Sequence, residues 1–145
     1  LIESVHMFEH LSYSESDKAL ETWYKKLKKG GKLRISVPDA SKTSALLLMT
    51  GDKNLVKSMF MGSQRDSWDF HKNIHTKDSL TKELLNAKFS NVKEWDWRTT
   101  WPHNYIDTYA SAYFPTMKKN FILDNGKSID FGGVLMSLNL ECDKL

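Results

Sequence analysis

The alternation of apolar and polar positions divides the chain into a strand–helix series. Leu1 to Val5 reads as the end of a strand. Ser12-Tyr13-Ser14-Glu15 has the spacing of a capping box, in which a hydroxyl and a carboxylate satisfy the free amides of a helix start. From there Ala19, Leu20, Trp23, Tyr24 and Leu27 share one helical face. Gly30-Gly31 stops the helix, because glycine accepts the left-handed conformation beyond a last turn. Leu33, Ile35 and Val37 then alternate with Lys32, Arg34 and Ser36, a strand that Pro38 ends because proline cannot donate to a ladder. Strand, helix and strand joined by a short glycine turn imply a parallel pair in an α/β layer.

Residues 41–61 predict one or two short helices broken at Gly51, with Leu55, Val56, Met59 and Phe60 at helical spacing. Residues 62–75 are polar and aromatic and read as a loop. Thr76 caps a further helix that turns Leu80, Leu84 and Leu85 inward and ends by Phe89. A strand is expected from Val92 to Trp97, and a last one from Val134 to Cys142 after Gly132-Gly133. Between them, Asp107 to Tyr113 fits a helical turn and Asn125-Gly126 a tight turn. The aromatic series Trp101, Tyr105, Tyr109 and Tyr113 fits core packing better than an acceptor lid.

Composition changes this picture little. The 145 residues fit a single domain, 1–145, and 40% hydrophobic with 27% charged residues is the balance of an ordinary globular chain. The formal charge of +3 is mild, and the densest lysines, Lys25-Lys26 and Lys28-Lys29, fall where cations favour a helix C-terminus. A nucleic-acid partner is therefore not expected. No apolar run reaches the roughly 20 residues of a membrane span, so no membrane partner is expected either. One cysteine, Cys142, excludes an internal disulfide and points to a reducing, cytoplasmic setting.

Five histidines raise the question of a metal. His6-Met7-Phe8-Glu9-His10 matches the H-x-x-E-H pattern of one zinc-hydrolase class, and His71 and His75 repeat the four-residue spacing. That spacing aligns two imidazoles only on a helix. Here His6 falls at a strand end and His71 to His75 in a loop, so no metal ligands are assigned from the pattern. In a parallel sheet ligands bind beyond the C-terminal strand ends, which makes His6, Glu9, Pro38 and Asp39 residues of the active edge.

The run Val5-His6-Met7-Phe8-Glu9-His10-Leu11, the helix ending Leu27-Lys28-Lys29-Gly30-Gly31 and the strand Arg34-Ile35-Ser36-Val37-Pro38-Asp39 resemble, in order and spacing, the middle of class I S-adenosylmethionine-dependent methyltransferases. In that family a Glu-His-Leu or Glu-His-Val segment follows the fourth strand, and a Leu-Lys-Pro-Gly-Gly helix end precedes the fifth; Lys29 stands where proline is usual. Gly62-Ser63-Gln64, Asp69-Phe70-His71 and Thr76 to Phe89 are similar to the stretch before the sixth strand, and Gly132 to Glu141 to the antiparallel seventh. The family's glycine-rich cofactor loop has no counterpart among these residues.

The resemblance implies a partial Rossmann-like methyltransferase sheet: a stub of strand four, then strands 5-7-6 with the last strand antiparallel, flanked by helices. It implies methyl transfer to a small-molecule or glycan acceptor. Ser4, Val5 and His6 would line the methionine end of S-adenosylmethionine. Asp39, Gln64 and His71 would face the acceptor, with His71 the first candidate base and His6 the second. His10 would order the loop at the helix start. The chain is expected to begin inside strand four, to bind little or no cofactor alone and to be inactive in isolation. The sheet edge or helix face left open would favour a homo-oligomer. The alternatives are a non-catalytic interaction module that keeps half of this fold and, behind it, a zinc-dependent hydrolase.

Overall fold

The computed structural model describes residues 1–96 and 135–145, together with the backbone of Val134 and of three two-residue strands. The order is β1 (Ile2–Val5), a 3-10 turn (Phe8–His10), α1 (Tyr13–Lys26), β2 (Lys32–Pro38), α2 (Ala40–Thr50), a second 3-10 turn (Lys53–Leu55), α3 (Lys57–Met61), α4 (Lys77–Asn86) and β3 (Ser90–Glu94). The short strands β4 (Tyr113–Phe114), β5 (Phe121–Ile122), β6 (Ser128–Ile129) and β7 (Val134–Leu135) follow, and β8 (Ser137–Asp143) closes the series. β4 pairs with β7, and β5 with β6.

Four strands form one mixed sheet in the order β1-β2-β8-β3, so the fold is mixed α/β with flanking helices. β1 and β2 run parallel, with Ile2 opposite Leu33 and Val5 opposite Ser36. β8 runs antiparallel to both neighbours, with Lys32 opposite Asp143 and Pro38 opposite Ser137. Among the described residues β1 forms an edge of this sheet.

The predicted caps are present. Glu15 accepts from both the amide and the hydroxyl of Ser12 at 2.8 and 2.7 Å. Thr76 Oγ1 accepts from the Ser79 amide at 3.1 Å, and Ser79 Oγ accepts from the Thr76 amide at 2.9 Å. Gly30 takes the left-handed φ of 75° that the turn before β2 requires.

Two strand boundaries and one burial pattern differ from the sequence pattern. The strand expected at Val92–Trp97 lies at Ser90–Glu94. The last strand is interrupted at Met136, whose carbonyl accepts the Asp39 amide at 2.8 Å. Its alternation of apolar and polar residues does not mark a half-exposed strand: β8 lies inside the sheet between β2 and β3, and Ser137 to Cys142 are all buried. The helical turn expected before Tyr113, the Asn125-Gly126 turn and the residues Trp101, Tyr105 and Tyr109 lie outside the described residues. Tyr113 itself begins β4.

The core lies on one face of the sheet. Leu33, Ile35 and Val37 of β2 and Leu138, Leu140 and Cys142 of β8 meet Leu20 and Leu27 from the α1 side, Leu80 and Leu84 of α4, and the rings of Phe8 and Phe89. Burial pushes the Cys142 thiol up to about 12, which makes it an unreactive filler.

The alternate positions carry a charged ladder. Arg34 Nε donates to Glu141 Oε2 at 2.8 Å and Lys32 Nζ to Asp143 Oδ1 at 2.7 Å. The Arg34 guanidinium also lies 5.2 Å from the centre of the Trp95 ring. Burial works against the Glu141 charge, but the hydrogen bonds and positive charges of Arg34 and Lys32 outweigh it and hold the carboxyl below its ordinary 4.5. A depressed carboxylate contributes stability that is complete above the unfolded-state value and is lost as pH falls through the lower folded one. Unfolding free energy should therefore drop on acidification below about pH 4.5, and Glu141→Gln should flatten that drop. Urea titrations of both proteins between pH 7 and 3 check this; parallel curves would remove Glu141 from the account.

Among the described residues no helix is long and apolar enough to cross a membrane.

Candidate functional site

The parallel pair β1–β2 ends at one side of the sheet, and there the chain leaves each strand abruptly. His6 still belongs to the ladder through its amide, which donates to the Ser36 carbonyl at 2.8 Å. Its φ of 46° then turns the backbone out of the strand. The 3-10 turn Phe8–His10 follows and buries both Phe8 and Glu9. Phe8 anchors the turn, with its ring centre 5.7 Å from Trp23 and 5.3 Å from His75.

The next residue, Glu9, is the centre of the site. It is 1% exposed, and neither carboxylate oxygen has a hydrogen-bond partner. Oε1 lies within ion-pair distance of two imidazoles, 3.2 Å from His6 Nδ1 and 3.9 Å from His71 Nε2. The 3.2 Å approach does not meet hydrogen-bond geometry, so proximity to His6 does not satisfy the carboxylate. The Glu9 carbonyl, in contrast, accepts the amides of Lys72 and Asn73 at 2.9 and 3.1 Å. These two bonds bring the loop that follows α3 onto the turn that follows β1, and so bring His71 to Glu9.

Each imidazole is oriented by its second nitrogen. His71 Nδ1 lies 2.9 Å from the Met59 carbonyl and His10 Nδ1 3.1 Å from the Phe70 carbonyl. A carbonyl only accepts, so both Nδ1 atoms carry a proton, and in the neutral ring the lone pair falls on Nε2. His10 and His71 meet edge to face with centres 4.7 Å apart. His6 Nε2 lies 2.9 Å from Ser137 Oγ, which donates onward to Asn139. Burial pushes the His71 pKa down, and neighbouring His10 and His6 push the same way; Glu9 and the Met59 carbonyl pull it back without cancelling the shift.

These groups open on a cavity of about 320 Å³. His6, Glu9 and His10 line it from the β1 side, Pro38 from the end of β2 and Met136 from the entry to β8. The opposite wall is Ser58, Met59, Ser63, Arg65, Asp69 and His71. Arg65 Nε donates to Asp69 Oδ2 at 2.7 Å, which lowers the Asp69 pKa and braces the loop. A larger hollow of about 510 Å³ beside α1 and α4 is lined by Leu20, Tyr24, Ala87 and mainly charged residues. Volume does not decide between the two; the convergence of oriented polar groups does.

The residues singled out from sequence separate into two groups. His6 and His71 come together around Glu9. Ser4 is buried within β1 and Val5 is half-buried beside it, behind His6. Asp39 caps α2 instead, accepting the amides of Ser41 and Lys42 at 3.0 and 3.2 Å, and the cavity wall beside it is Pro38. Gln64 is exposed at φ 56° and donates to the Met61 carbonyl, while its neighbours Ser63 and Arg65 reach the cavity. The histidine pairs do not form as spaced. His6 precedes the 3-10 turn that holds His10, and His75 stacks on Phe8 inside the core with Glu83 3.5 Å from its Nδ1. The sequence does not mark Met59 or Arg65 as cavity residues, and marks Asp69 only as part of the Asp69-Phe70-His71 stretch of the resemblance.

Comparison of the chain with known protein families, with characterised proteins and with solved structures found no match.

Proposed function

We propose that this chain supplies the acceptor side of an S-adenosylmethionine-dependent methyltransferase acting on a small molecule or glycan. The observation that carries the reading is the strand order β1-β2-β8-β3 with β8 antiparallel to both neighbours. It has the pattern 4-5-7-6 that the resemblance implies for the second half of that sheet. A second support is the position of the cavity, beyond the C-terminal ends of the parallel pair, where α/β sheets bind ligands.

In this reading Ser4, Val5 and His6 approach the methionine end of the cofactor, and the open edge of β1 is where the cofactor-binding strands add. S-Adenosylmethionine supplies the methyl group as a sulfonium. The protein's work is to hold the acceptor in line with it and, where the acceptor carries a proton, to accept that proton. His71 lines the cavity with Nδ1 tied to the Met59 carbonyl, and the Nε2 of its neutral ring serves that purpose. The glycine-rich loop is not among these residues, so binding by this chain alone is weak. The test is a titration with S-adenosylhomocysteine followed residue by residue by NMR. Shifts at Ser4 to His6 support the reading, and their absence at millimolar ligand overturns it.

A further inference from the structure

The geometry points to a divalent metal site of the zinc class formed by Glu9, His10 and His71, an inference that does not rest on the methyl-transfer reading; with the ion bound, the His71 Nε2 lone pair is a ligand and no longer a base. One ligand atom from each of the three lies within 4.8 Å of the other two. Such clusters arise without metals, so proximity alone carries little. Two further observations do.

The first is Glu9. A carboxylate that is 1% exposed and has no hydrogen-bond partner on either oxygen is costly to bury unless a cation compensates it. The ladder lysines and Arg34 are engaged elsewhere, with Glu141, Asp143 and Glu3. The groups facing Oε1 are imidazoles.

The second is the tautomer. Metal-ligating histidines characteristically donate their other ring N–H to a carbonyl or carboxylate, which fixes the ring and aims its lone pair. His71 does this to Met59 and His10 to Phe70, both from Nδ1. Two imidazoles from distant parts of the chain thus have the same nitrogen tied to main chain and the same nitrogen, Nε2, available.

Two imidazole nitrogens and one carboxylate oxygen suit zinc and similar borderline ions and not the all-oxygen preference of magnesium or calcium. Tetrahedral zinc with bonds of about 2.0–2.1 Å sets ligand atoms roughly 3.3 Å apart. The His71 Nε2 to Glu9 Oε1 distance of 3.9 Å is close to that. The widest separation, bounded at 4.8 Å, closes by a movement of His10, which is only half-buried and can pivot on its bond to Phe70. Three protein ligands leave a fourth position, as in catalytic rather than structural sites. All three residues line the cavity, so the ion would meet the oxygen or nitrogen of a molecule that enters it.

The trio is not the pair that the H-x-x-E-H spacing offered. His71 replaces His6, and Glu9 becomes a ligand rather than a base.

Calorimetry with zinc alone, followed by metal analysis after dialysis, tests the site. One zinc per chain with a dissociation constant of about 1 µM or tighter is expected. Glu9→Gln keeps the shape of the side chain and should weaken binding at least tenfold; His10→Ala and His71→Asn should each weaken it about 100-fold or more. Histidine nitrogen NMR reads the ligands without any substitution: zinc should move the Nε2 resonances of His10 and His71 and leave both Nδ1 protons in place. Zinc binding weaker than 1 mM, binding that survives Glu9→Gln unchanged, or ligation through other histidines would each overturn the assignment.

Discussion

Replacing Phe8 by alanine is expected to lower the unfolding free energy by about 3–5 kcal/mol, the largest effect of any single change near the site. Phe8 is completely buried and touches three layers at once: Trp23 of α1, His75 before α4, and the sheet through the core cluster. Truncation removes the apolar area of the ring and its aromatic contacts, and leaves a cavity that the flanking sheet and helices cannot collapse into. Against a typical total of 5–15 kcal/mol, that loss consumes a large share of the fold's stability. The consequence reaches the site because Phe8 and Glu9 belong to one 3-10 turn. Urea unfolding should show a lower midpoint with an unchanged slope. A loss under about 1 kcal/mol would mean that the turn is not anchored by Phe8.

The second large effect is expected at Gly62. Its φ of 76° and ψ of 173° lie in a region that glycine alone occupies comfortably. A Cβ placed there would also collide with the main-chain carbonyl of Asp69 and press on the His71 ring at 3.1 Å. Backbone cannot yield as the end of a flexible side chain can, so Gly62→Ala must move the loop. The expected cost is on the order of 3 kcal/mol, from backbone strain with the collision added. Unlike Phe8→Ala, it should disturb the site more than the core: the His71 ring resonances should shift while those of Leu33, Ile35 and Leu140 stay put. Stability within about 0.5 kcal/mol of the parent and an unmoved His71 would show that the loop tolerates another path.

The contrast between these two residues shows what was legible in the sequence. Phe8 sits in an apolar–polar pattern that already separated strand, turn and helix, and the caps at Ser12 and Thr76 and the stop at Gly30 depend on neighbours three or four positions away. Local rules reach that far. The burial of β8 on both faces was not legible, since Asn139 and Glu141 look like solvent positions until β2 and β3 flank them. Glu141 is tolerated there because Arg34 and Lys32 stand across the strand boundary.

The site divides in the same way. His6 stands out by its strand-end position and His71 by the resemblance, and both line the cavity. Their meeting at Glu9 was not legible, because it rests on two amides, Lys72 and Asn73, donating to a carbonyl more than sixty positions earlier. Asp39 stands out by its place after β2 and Gln64 by the resemblance; the first is engaged at a helix start and the second is turned to solvent. The left-handed exit at His6 also explains why its four-residue spacing to His10 does not act as a helical pair.

The methyltransferase reading is tested most directly by mapping where its cofactor product touches the chain. Isotope-labelled protein titrated with S-adenosylhomocysteine should show amide shifts at Ser4, Val5 and His6, extending to Val37 across the parallel pair, with a dissociation constant of about 1 mM, near −4 kcal/mol. Adenosine alone should produce little, because the contacts assigned to these residues are with the methionine end. No shift at these positions at saturating ligand, or shifts confined to another surface such as the hollow beside α1 and α4, would contradict the account.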